Sequence, residues 1–417
     1  MQISLRSTAR RLLFGCCAFL AVAEYVHLST RAARAHAWSE GEQQWQIERA
    51  VQLEPQDADY WSRLGHWHLL IDQDSVAALN AYKQSIRQNP NSADSYLEVA
   101  RLSLIANDHA QLTQALENAL RVDPTTPSVN WEAANLYLAV NEVDRALPLF
   151  RAASAASPEY SSPAMTLCWR ATHNVDQMVA LAMPQDPAVY SEFLRYLVLR
   201  RETQAADELW SRLIDLRKPT PAKASFLYLD SLIEQHRVSD AVRAWRQLAT
   251  IDTEINSYLP ENGNLVVNSG FKQEILNGGF DWRIAERDKV SLEVAAAADG
   301  NSGGHSLEIT FDSVNTDTAG ILQLIPVEPD SSYSLSFFYK AVELEGAHGM
   351  SVVIRDAFTG NTLLATDEIL GSTPWQKISQ TFTTAPSTSL VSFELKRPGG
   401  TLVRGKLLID DVRLVKE

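Results

Sequence analysis

The sequence has few cysteines and a deficit of basic residues, and both shortages exclude classes of function. Its 417 residues include only 3 cysteines, two adjacent at Cys16 and Cys17 and one alone at Cys168. This number and spacing provide neither a disulfide framework nor the paired cysteines of a zinc site. The chain carries 37 basic against 51 acidic residues, a formal net charge of -14. Because this charge repels a phosphate backbone, we expect no nucleic acid partner.

The sequence also lacks two motifs that would point to catalysis. It contains no HExxH metalloprotease motif and no glycine-rich phosphate-binding loop. A glycosidase needs two carboxylates separated by about 5 Å or by about 6.5 to 9.5 Å across one cleft. No spacing of acidic residues along a predicted strand singles out such a pair. We therefore predict a protein that is not an enzyme, and a glycoside hydrolase is the least favoured alternative.

The N-terminal segment, residues 1–37, combines basic residues with an apolar run. Three arginines precede the uncharged run from Leu12 to Ala23. This pattern is typical of a signal peptide, and the run is shorter than the roughly 20 apolar residues that span a bilayer. Ala21-Val22-Ala23 has the form of a cleavage site, whereas an apolar segment over residues 12–28 would be an uncleaved anchor in the inner membrane. Both alternatives predict export to the periplasm or cell envelope, and a third alternative is a protein that stays in the cytoplasm.

Prolines recur at a nearly constant spacing in the middle of the chain. They are Pro55, Pro90, Pro124 and Pro158, spaced 35, 34 and 34 residues apart. This is the period of a helical-hairpin repeat. Between the prolines the sequence reads as two amphipathic helices, and each proline ends the second one because its ring cannot continue the hydrogen-bond ladder. We predict an all-α solenoid over residues 38–258, with degraded repeats after Pro158 and with its last hairpins packed on the next domain.

The segment from Glu42 to Pro158 resembles tetratricopeptide repeats. The spacing of large and small packing residues matches at Trp61, Leu64 and Gly65, and again at Tyr137, Ala146 and Phe150. The resemblance implies a concave surface, formed by the first helix of each hairpin, that holds a peptide or an envelope protein. It places four residues on that surface: His66, Arg101, Trp131 and Asn135. The alternative is that Trp131 is a packing residue and the other three are ordinary solvated positions.

The sequence changes character at Asn264, where glycine, serine, threonine and asparagine become frequent and the apolar period becomes two. HSLEITF, SYSLSFFYK, SLVSFELK and KLLIDDVRL alternate apolar with polar residues, and turns such as ADGNSGG and RPGG separate the alternating segments. This pattern predicts an all-β sandwich of nine or ten strands over residues 259–417. The whole chain is therefore predicted to be a multidomain α + β protein.

The last domain resembles the jelly-roll carbohydrate-binding modules of bacterial glucanases and xylanases, the CenC-like group. The resemblance rests on NLVVNSGF from Asn264, Trp282, Gln323, the segment from Tyr333 to Lys340, Trp375, and IDDV from Ile409. It implies polysaccharide binding without a catalytic cofactor. It also implies a structural calcium ion, with Asp410 and Asp411 as candidate ligands. Lys272 and Gln273 stand where such modules often carry an acidic residue, so the sequence leaves calcium open.

One sheet face of this sandwich is the predicted polysaccharide site. In SYSLSFFYK we expect Leu335, Phe337 and Tyr339 to fill the core, so that the alternate residues face solvent. Sugars stack on aromatic rings, and their hydroxyls bond to carboxylates, amides and ammonium groups. The candidates are Glu308, Thr310, Asp312, Gln323, Phe338, Lys340, Glu394 and Lys396, with Trp282 as a stacking residue that fits the core equally well. A polar face that serves solubility alone is the alternative.

The complete chain also looks like a group of bacterial envelope proteins associated with exopolysaccharide or O-antigen functions. The combination of an export segment, helical repeats and a sandwich ending in RGKLLIDDVRLV carries this likeness. This likeness is an analogy at the level of fold and domain combination. It implies a non-catalytic envelope adaptor that binds polysaccharide through the sandwich and envelope proteins through the repeats. A purely structural scaffold between proteins is the alternative.

Overall fold

The computed structural model describes residues 8–41, 43–296 and 304–417. The chain divides into two compact units after Pro184, and the units are described separately below. Arg6 of the predicted signal segment lies outside the described residues, as does the ADGNSGG turn except for its last glycine. The prediction of a helical region followed by an all-β sandwich is confirmed.

The first unit is built from consecutive helical hairpins. The helices α2, α4, α6 and α8 each end two residues before one of the periodic prolines, as the repeat predicts. Side chains cap several N-termini: Asp74 Oδ1 accepts hydrogen bonds from the backbone N–H groups of Val76 and Ala77 at 3.0 and 2.9 Å, which satisfies donors that lack a helical partner. The helices are α1 (Thr8–Ser39), α2 (Gln44–Leu53), α3 (Ala58–Trp67), α4 (Ser75–Gln88), α5 (Ala93–Ile105), α6 (His109–Val122), α7 (Pro127–Ala139), α8 (Val143–Ala156), α9 (Ser161–Thr172) and α10 (Val175–Gln177).

Close contact between paired helices explains the small residues of the repeat. Gly65 on α3 faces the fully buried ring of Tyr82 on α4, and a Cβ at Gly65 would lie 2.9 Å from that ring. A larger residue would therefore push the two helices apart. The turn of this hairpin contains a π-helical segment, His68–Asp72, which accommodates an extra residue between α3 and α4.

Helix α1 extends well beyond the apolar run of the N-terminal segment. Its part from Leu12 to Ser39 is long and apolar enough to cross a membrane, although a signal sequence passes the same test of length and composition. The end of α1 belongs to the helical packing: Ala35 is buried with Ile47 of α2, and Arg31 Nε donates to the carbonyl oxygen of Leu53 at 2.7 Å. A chain cleaved after Ala23 would keep both contacts.

The second unit begins with two further hairpins. Residues with a left-handed backbone conformation form the tight turns. They are Arg201 between the first pair of helices and His236 between the second. Buried aromatic residues, including Phe193 and Trp210, fill the space between the helices. The four helices are α11 (Pro187–Leu199), α12 (Thr203–Asp215), α13 (Ala222–Glu234) and α14 (Val238–Ile251).

A sandwich of two antiparallel five-stranded sheets completes the second unit. Sheet I has the strand order β1-β4-β9-β6-β7, and sheet II has the order β2-β3-β10-β5-β8. The strands are β1 (Arg283–Ile284), β2 (Val290–Ala296), β3 (His305–Val314), β4 (Thr318–Pro326), β5 (Ser332–Gly346), β6 (Ser351–Asp356), β7 (Thr362–Ala365), β8 (Gly371–Thr383), β9 (Leu390–Lys396) and β10 (Val403–Lys416).

The core of the sandwich lies between the inner faces of the two sheets. On β5, Leu335 and Phe337 are fully buried while Ser336 and Phe338 are half-buried on the other side of the strand. This is the parity that the alternating sequence predicts. Phe393 of sheet I meets Phe337 of sheet II edge to face, with 6.4 Å between the ring centroids.

The last helical hairpin packs directly on the sandwich within the second unit. Arg283 Nη2 on β1 donates to Asp230 Oδ1 on α13 at 2.6 Å. The ring of His236 stacks on Phe358, which lies between β6 and β7, with 4.0 Å between the centroids. Gly279 lies so close to the ring of Trp245 on α14 that an added Cβ would overlap it. The continuing hairpins therefore end in an interface with the sandwich.

Candidate functional site

The residues predicted to form one polysaccharide site lie on both sheets. Sheet II carries Glu308, Thr310 and Asp312 on β3, and Phe338 and Lys340 on β5, all turned away from the core. Sheet I carries Glu394 and Lys396 on β9. Because the outer faces of a two-sheet sandwich point in opposite directions, these two groups cannot contact one ligand site. This corrects the expectation of a single face.

Two further candidates lie in the core. Gln323 is fully buried on β4 between Ile321 and Ile325, and its Nε2 donates to the carbonyl oxygen of Val267 at 2.9 Å. Its amide therefore ties the chain before β1 to sheet I. An inward position on a buried face is inaccessible to a polysaccharide, which corrects the surface assignment of Gln323.

Trp282 is the second core residue and is 1% exposed. Its ring stacks on Phe271 at 5.2 Å and meets Phe393 edge to face at 5.3 Å. Its indole Nε1 donates to the carbonyl oxygen of Asn268 at 3.1 Å. The ring is buried and its polar atom is bonded inside the protein, so Trp282 is a packing residue and not a sugar platform.

The outer face of sheet II carries exposed charge pairs and one aromatic ring. Lys406 Nζ on β10 donates to Glu308 Oε1 at 2.6 Å. Lys377 Nζ on β8 lies 5.7 Å from the centroid of the Phe338 ring, close enough for a cation–π interaction. Lys406 is 47% exposed, so water screens its pair with Glu308. These contacts suffice for solubility, and the predicted binding role of this face remains a prediction.

The outer face of sheet I is formed by two rows of side chains that cross β4, β9 and β6. The strand register places Leu322, Glu394 and Val353 in one row. The next row contains Leu324, Ser392 and Arg355. Together with Lys396 these residues are called the sheet I face: Leu322, Leu324, Val353, Arg355, Ser392, Glu394 and Lys396.

Polar groups on the sheet I face are held in a partly buried arrangement. Glu394 accepts a hydrogen bond from Ser392 Oγ at 2.7 Å and pairs with Lys396 Nζ at 3.1 Å. The side chains of Glu394 and Lys396 are 18% and 26% exposed. Partial removal of water strengthens hydrogen bonds and ion pairs, so this face offers oriented donors and acceptors beside the apolar side chain of Leu322.

Several residues of this face were not identified from the sequence. Arg355 and Val353 alternate in SVVIRD, which signals that they share one side of a strand. The sequence does not show that β6 lies beside β9, so it could not bring Arg355 to the same surface as Glu394.

The two aspartates predicted to bind calcium accept hydrogen bonds from groups of the chain itself. Asp410 is fully buried, and its Oδ1 accepts a hydrogen bond from the backbone N–H of Asp411 at 2.7 Å. The Asp411 carboxylate accepts from Arg413 Nε at 2.9 Å. Calcium takes 6 to 8 oxygen ligands. In the part of the chain that the structure describes, no group of three or more histidine, cysteine or acidic side chains could hold a metal ion, and calcium binding stays a prediction.

We expect an excess of EDTA to leave the melting temperature of the full chain unchanged, because Arg413 already neutralises Asp411. Differential scanning calorimetry with EDTA and with added calcium checks this expectation. A melting temperature that rises steadily with calcium concentration would indicate a bound ion and would contradict it.

In the first unit, two of the predicted concave residues belong to one charged row across α3, α5 and α7. His66 Nε2 lies 3.7 Å from Glu98 Oε1. Arg101 Nη1 donates to the same oxygen at 3.0 Å, and Arg101 Nη2 pairs with Glu132. Burial raises the pKa of Glu98, while Arg101 and His66 oppose this shift. The row joins three consecutive hairpins, and its acidic members were not identified from the sequence.

The other two predicted concave residues lie on α7. Trp131 is half-buried, and its ring centroid lies 5.1 Å from the rings of both Phe150 and Tyr160. Asn135 Nδ2 donates to the carbonyl oxygen of Trp131 at 2.8 Å. Trp131 therefore packs between hairpins, as the alternative interpretation holds, and Asn135 bonds within its own helix.

Comparisons with known proteins agree with this division of the chain. Residues 263–400 match the family model of the Carbohydrate binding domain. No curated protein matches the chain.

Three solved structures match one part of the chain or the other at low sequence identity. Bacteriophage CBA120 tailspike protein 4 is 18% identical over 37% of this chain, with a TM-score of 0.28, and the match spans only 22% of the tailspike chain. The Clostridium thermocellum xylanase 10B modules, in complex with xylohexaose, are 19% identical over 36% of this chain and 28% of theirs, with a TM-score of 0.25. YrrB, a tetratricopeptide protein with an unusual peptide-binding site, is 12% identical over 50% of this chain and 92% of its own, with a TM-score of 0.26. The C-terminal region, residues 263–400, is thus similar to the Carbohydrate binding domain family.

Proposed function

We propose that the protein is a non-catalytic adaptor of the cell envelope that binds polysaccharide through the sheet I face. The partly buried pair of Glu394 and Lys396 carries the proposal. Both partners are less than a third exposed, whereas the ion pairs of Glu308, Glu328, Glu345 and Asp411 each include a side chain at least 45% exposed. Exposed charges are enough for solubility, so a partly dehydrated pair on an outer face favours a ligand site.

The sheet I face offers the groups that a sugar chain needs. Lys396 donates hydrogen bonds to hydroxyl oxygens, and Glu394 accepts from hydroxyl groups. Leu322 and Leu324, which are partly exposed on β4, supply apolar surface for the C–H faces of the rings. Glu394 is the only acidic side chain among the outward-facing residues of β4, β9 and β6 in the described structure. Glycoside hydrolysis needs two carboxylates, which supports binding without catalysis.

The helical hairpins supply the second half of the proposed adaptor. The charged row from His66 to Glu132 crosses three consecutive hairpins and offers both charge signs to a peptide of an envelope partner. The apolar part of α1 supports export, either as a signal sequence or as a membrane anchor. The polysaccharide would then be an exopolysaccharide or O-antigen chain that meets the protein outside the cytoplasm.

The proposal predicts that glycan binding depends on sheet I and not on sheet II. Isothermal titration calorimetry of the full chain in mild detergent, with the envelope polysaccharide, β-glucan and xylan as ligands, measures the affinity. We expect Glu394→Gln to weaken binding about tenfold, because a hydrogen bond to a charged group is lost.

Glu308→Gln is the matched control, since it makes the same change on the opposite face. A loss of affinity in Glu308→Gln with unchanged binding in Glu394→Gln would move the site to sheet II. The absence of binding to every glycan would favour the purely structural scaffold.

A further inference from the structure

Arg355 stands apart from the other charged residues of the sheet I face. It lies on β6, directly across from Ser392 on β9, and its side chain is half-buried on the outer side of the sheet. Its Nε atom is buried and has no hydrogen-bond partner among the described residues. A buried donor without a partner destabilises a fold, so an acceptor supplied by a ligand of this guanidinium would stabilise the folded state.

The carboxylates nearest to Arg355 along the strands are occupied by other partners. Glu394 is bonded to Ser392 and Lys396. Asp356 accepts hydrogen bonds from the backbone N–H groups of Phe358 and Thr359 and from Thr388 Oγ1 at 2.6 Å. On the strand at the edge of sheet I, Arg283 is neutralised by Asp230. Arg355 therefore leaves the face with one uncompensated positive charge.

The same face lacks a platform for stacking a neutral sugar. No aromatic side chain is present among the described outward-facing residues of β4, β9 and β6, where Leu322, Leu324 and Val353 take the central positions. Aliphatic side chains bury sugar C–H groups but lack the ring plane on which a pyranose stacks. Affinity on this face must then come mainly from hydrogen bonds to charged groups, which are the strong ones.

We infer that the polysaccharide bound by the sheet I face is anionic, a chain that carries carboxylate groups, and that Arg355 binds one of these carboxylates. A guanidinium presents a planar fork of N–H donors that matches a carboxylate with two parallel hydrogen bonds. The inference rests on the proposed function, because it specifies the ligand of the same face.

The net charge of -14 does not prevent binding of an anionic chain. At physiological ionic strength, charges farther away than about 8 Å are largely screened. The contact between Arg355 and a carboxylate is direct and partly buried, so it is screened much less. The local charge of the face therefore decides the interaction.

The test compares carboxylated polysaccharides with the same polymers after reduction of their carboxyl groups. Polygalacturonate, alginate and hyaluronan, each with its reduced form, are titrated into the full chain in mild detergent by calorimetry. We expect at least one native polymer to bind about tenfold to a hundredfold more tightly than its reduced form, as expected for a charge-assisted pair. Arg355→Gln should abolish this difference, and Arg355→Lys should retain part of it because a lysine keeps the charge but lacks the fork.

Arg404→Gln is the matched control for the loss of charge. Arg404 lies on β10 of sheet II, is 65% exposed and pairs with Glu345, so its removal should leave the preference intact. Equal melting temperatures of the variants and the wild type would show that Arg355→Gln does not act through unfolding.

Three other outcomes of these titrations would contradict the inference or the proposed function. If every native polymer binds no better than its reduced form, the anionic ligand is refuted while polysaccharide binding stands. If Arg355→Gln and Arg404→Gln behave alike, Arg355 does not bind the carboxylate. If no polymer of either kind binds, both the inference and the proposed function fail.

Discussion

Replacing Trp282 with alanine should lower the free energy of unfolding of the sandwich by about 3–5 kcal/mol, as expected for deletion of a large buried aromatic side chain. The ring touches Phe271 and Phe393, so its loss leaves a cavity beside sheet I. It also removes the hydrogen bond to the carbonyl oxygen of Asn268. Denaturant-dependent hydrogen exchange of peptides from β4 and β9 measures the loss.

Trp375→Ala is the matched control, because the same side chain is removed from a half-buried position on β8. The loss in free energy of unfolding should be clearly smaller for Trp375→Ala, since less apolar surface is returned to water. Equal losses in the two variants would show that Trp282 is not a core residue. If an added sugar protected Trp282 from solvent, this result would also contradict its position in the core.

The helical part of the fold could be predicted because its signals are local. The proline spacing marks the end of each second helix, and the structure ends α4 and α6 two residues before Pro90 and Pro124. Gly65 and Tyr82, which contact each other across one hairpin, lie only half a repeat apart. Short-range contacts of this kind leave a clear pattern in the sequence.

For the sandwich, the sequence predicts which residues of a strand face the core. It does not predict which of the two sheets each strand joins. Alternation correctly assigned Leu335 and Phe337 to the core and Phe338 to the outside. Alternation carries no information on which of two sheets a strand joins. Strand β9 lies between β4 and β6, so Glu394 was grouped with residues of the opposite face.

Long-range contacts also explain why Gln323 was assigned to the surface. Its position between Ile321 and Ile325 indicates an inward side chain, but a polar amide favours the outside when no partner is known. The partner is the carbonyl oxygen of Val267, in a segment that precedes all the strands. Only the folded structure brings the two groups together.

The stability of the second unit should depend on pH through Asp281. Its side chain is fully buried, and its Oδ2 accepts a hydrogen bond from the backbone N–H of Leu276 at 2.7 Å. Burial raises the pKa of this carboxyl from 3.8 to about 7, although hydrogen bonds oppose the shift. Because the folded state holds the proton more tightly than the unfolded state, the contribution to stability is fully present below about pH 3.8. It is lost progressively as the pH rises toward 7.

Asp281→Asn should remove this dependence, since the amide stays neutral and can still accept the hydrogen bond from Leu276. Within the window from pH 3.8 to 7, the free energy of unfolding of the wild type should fall relative to that of the variant by roughly 1.4 kcal/mol per pH unit at most. Denaturant titrations of both proteins at several pH values between 4 and 8 measure the difference. Asp312→Asn, at an exposed position on β3, is the control and should give a curve parallel to the wild type. If the free energy of unfolding of Asp281→Asn follows the same pH dependence as that of the wild type, Asp281 is already ionised in the folded protein at low pH. This result would contradict the effect expected from its burial.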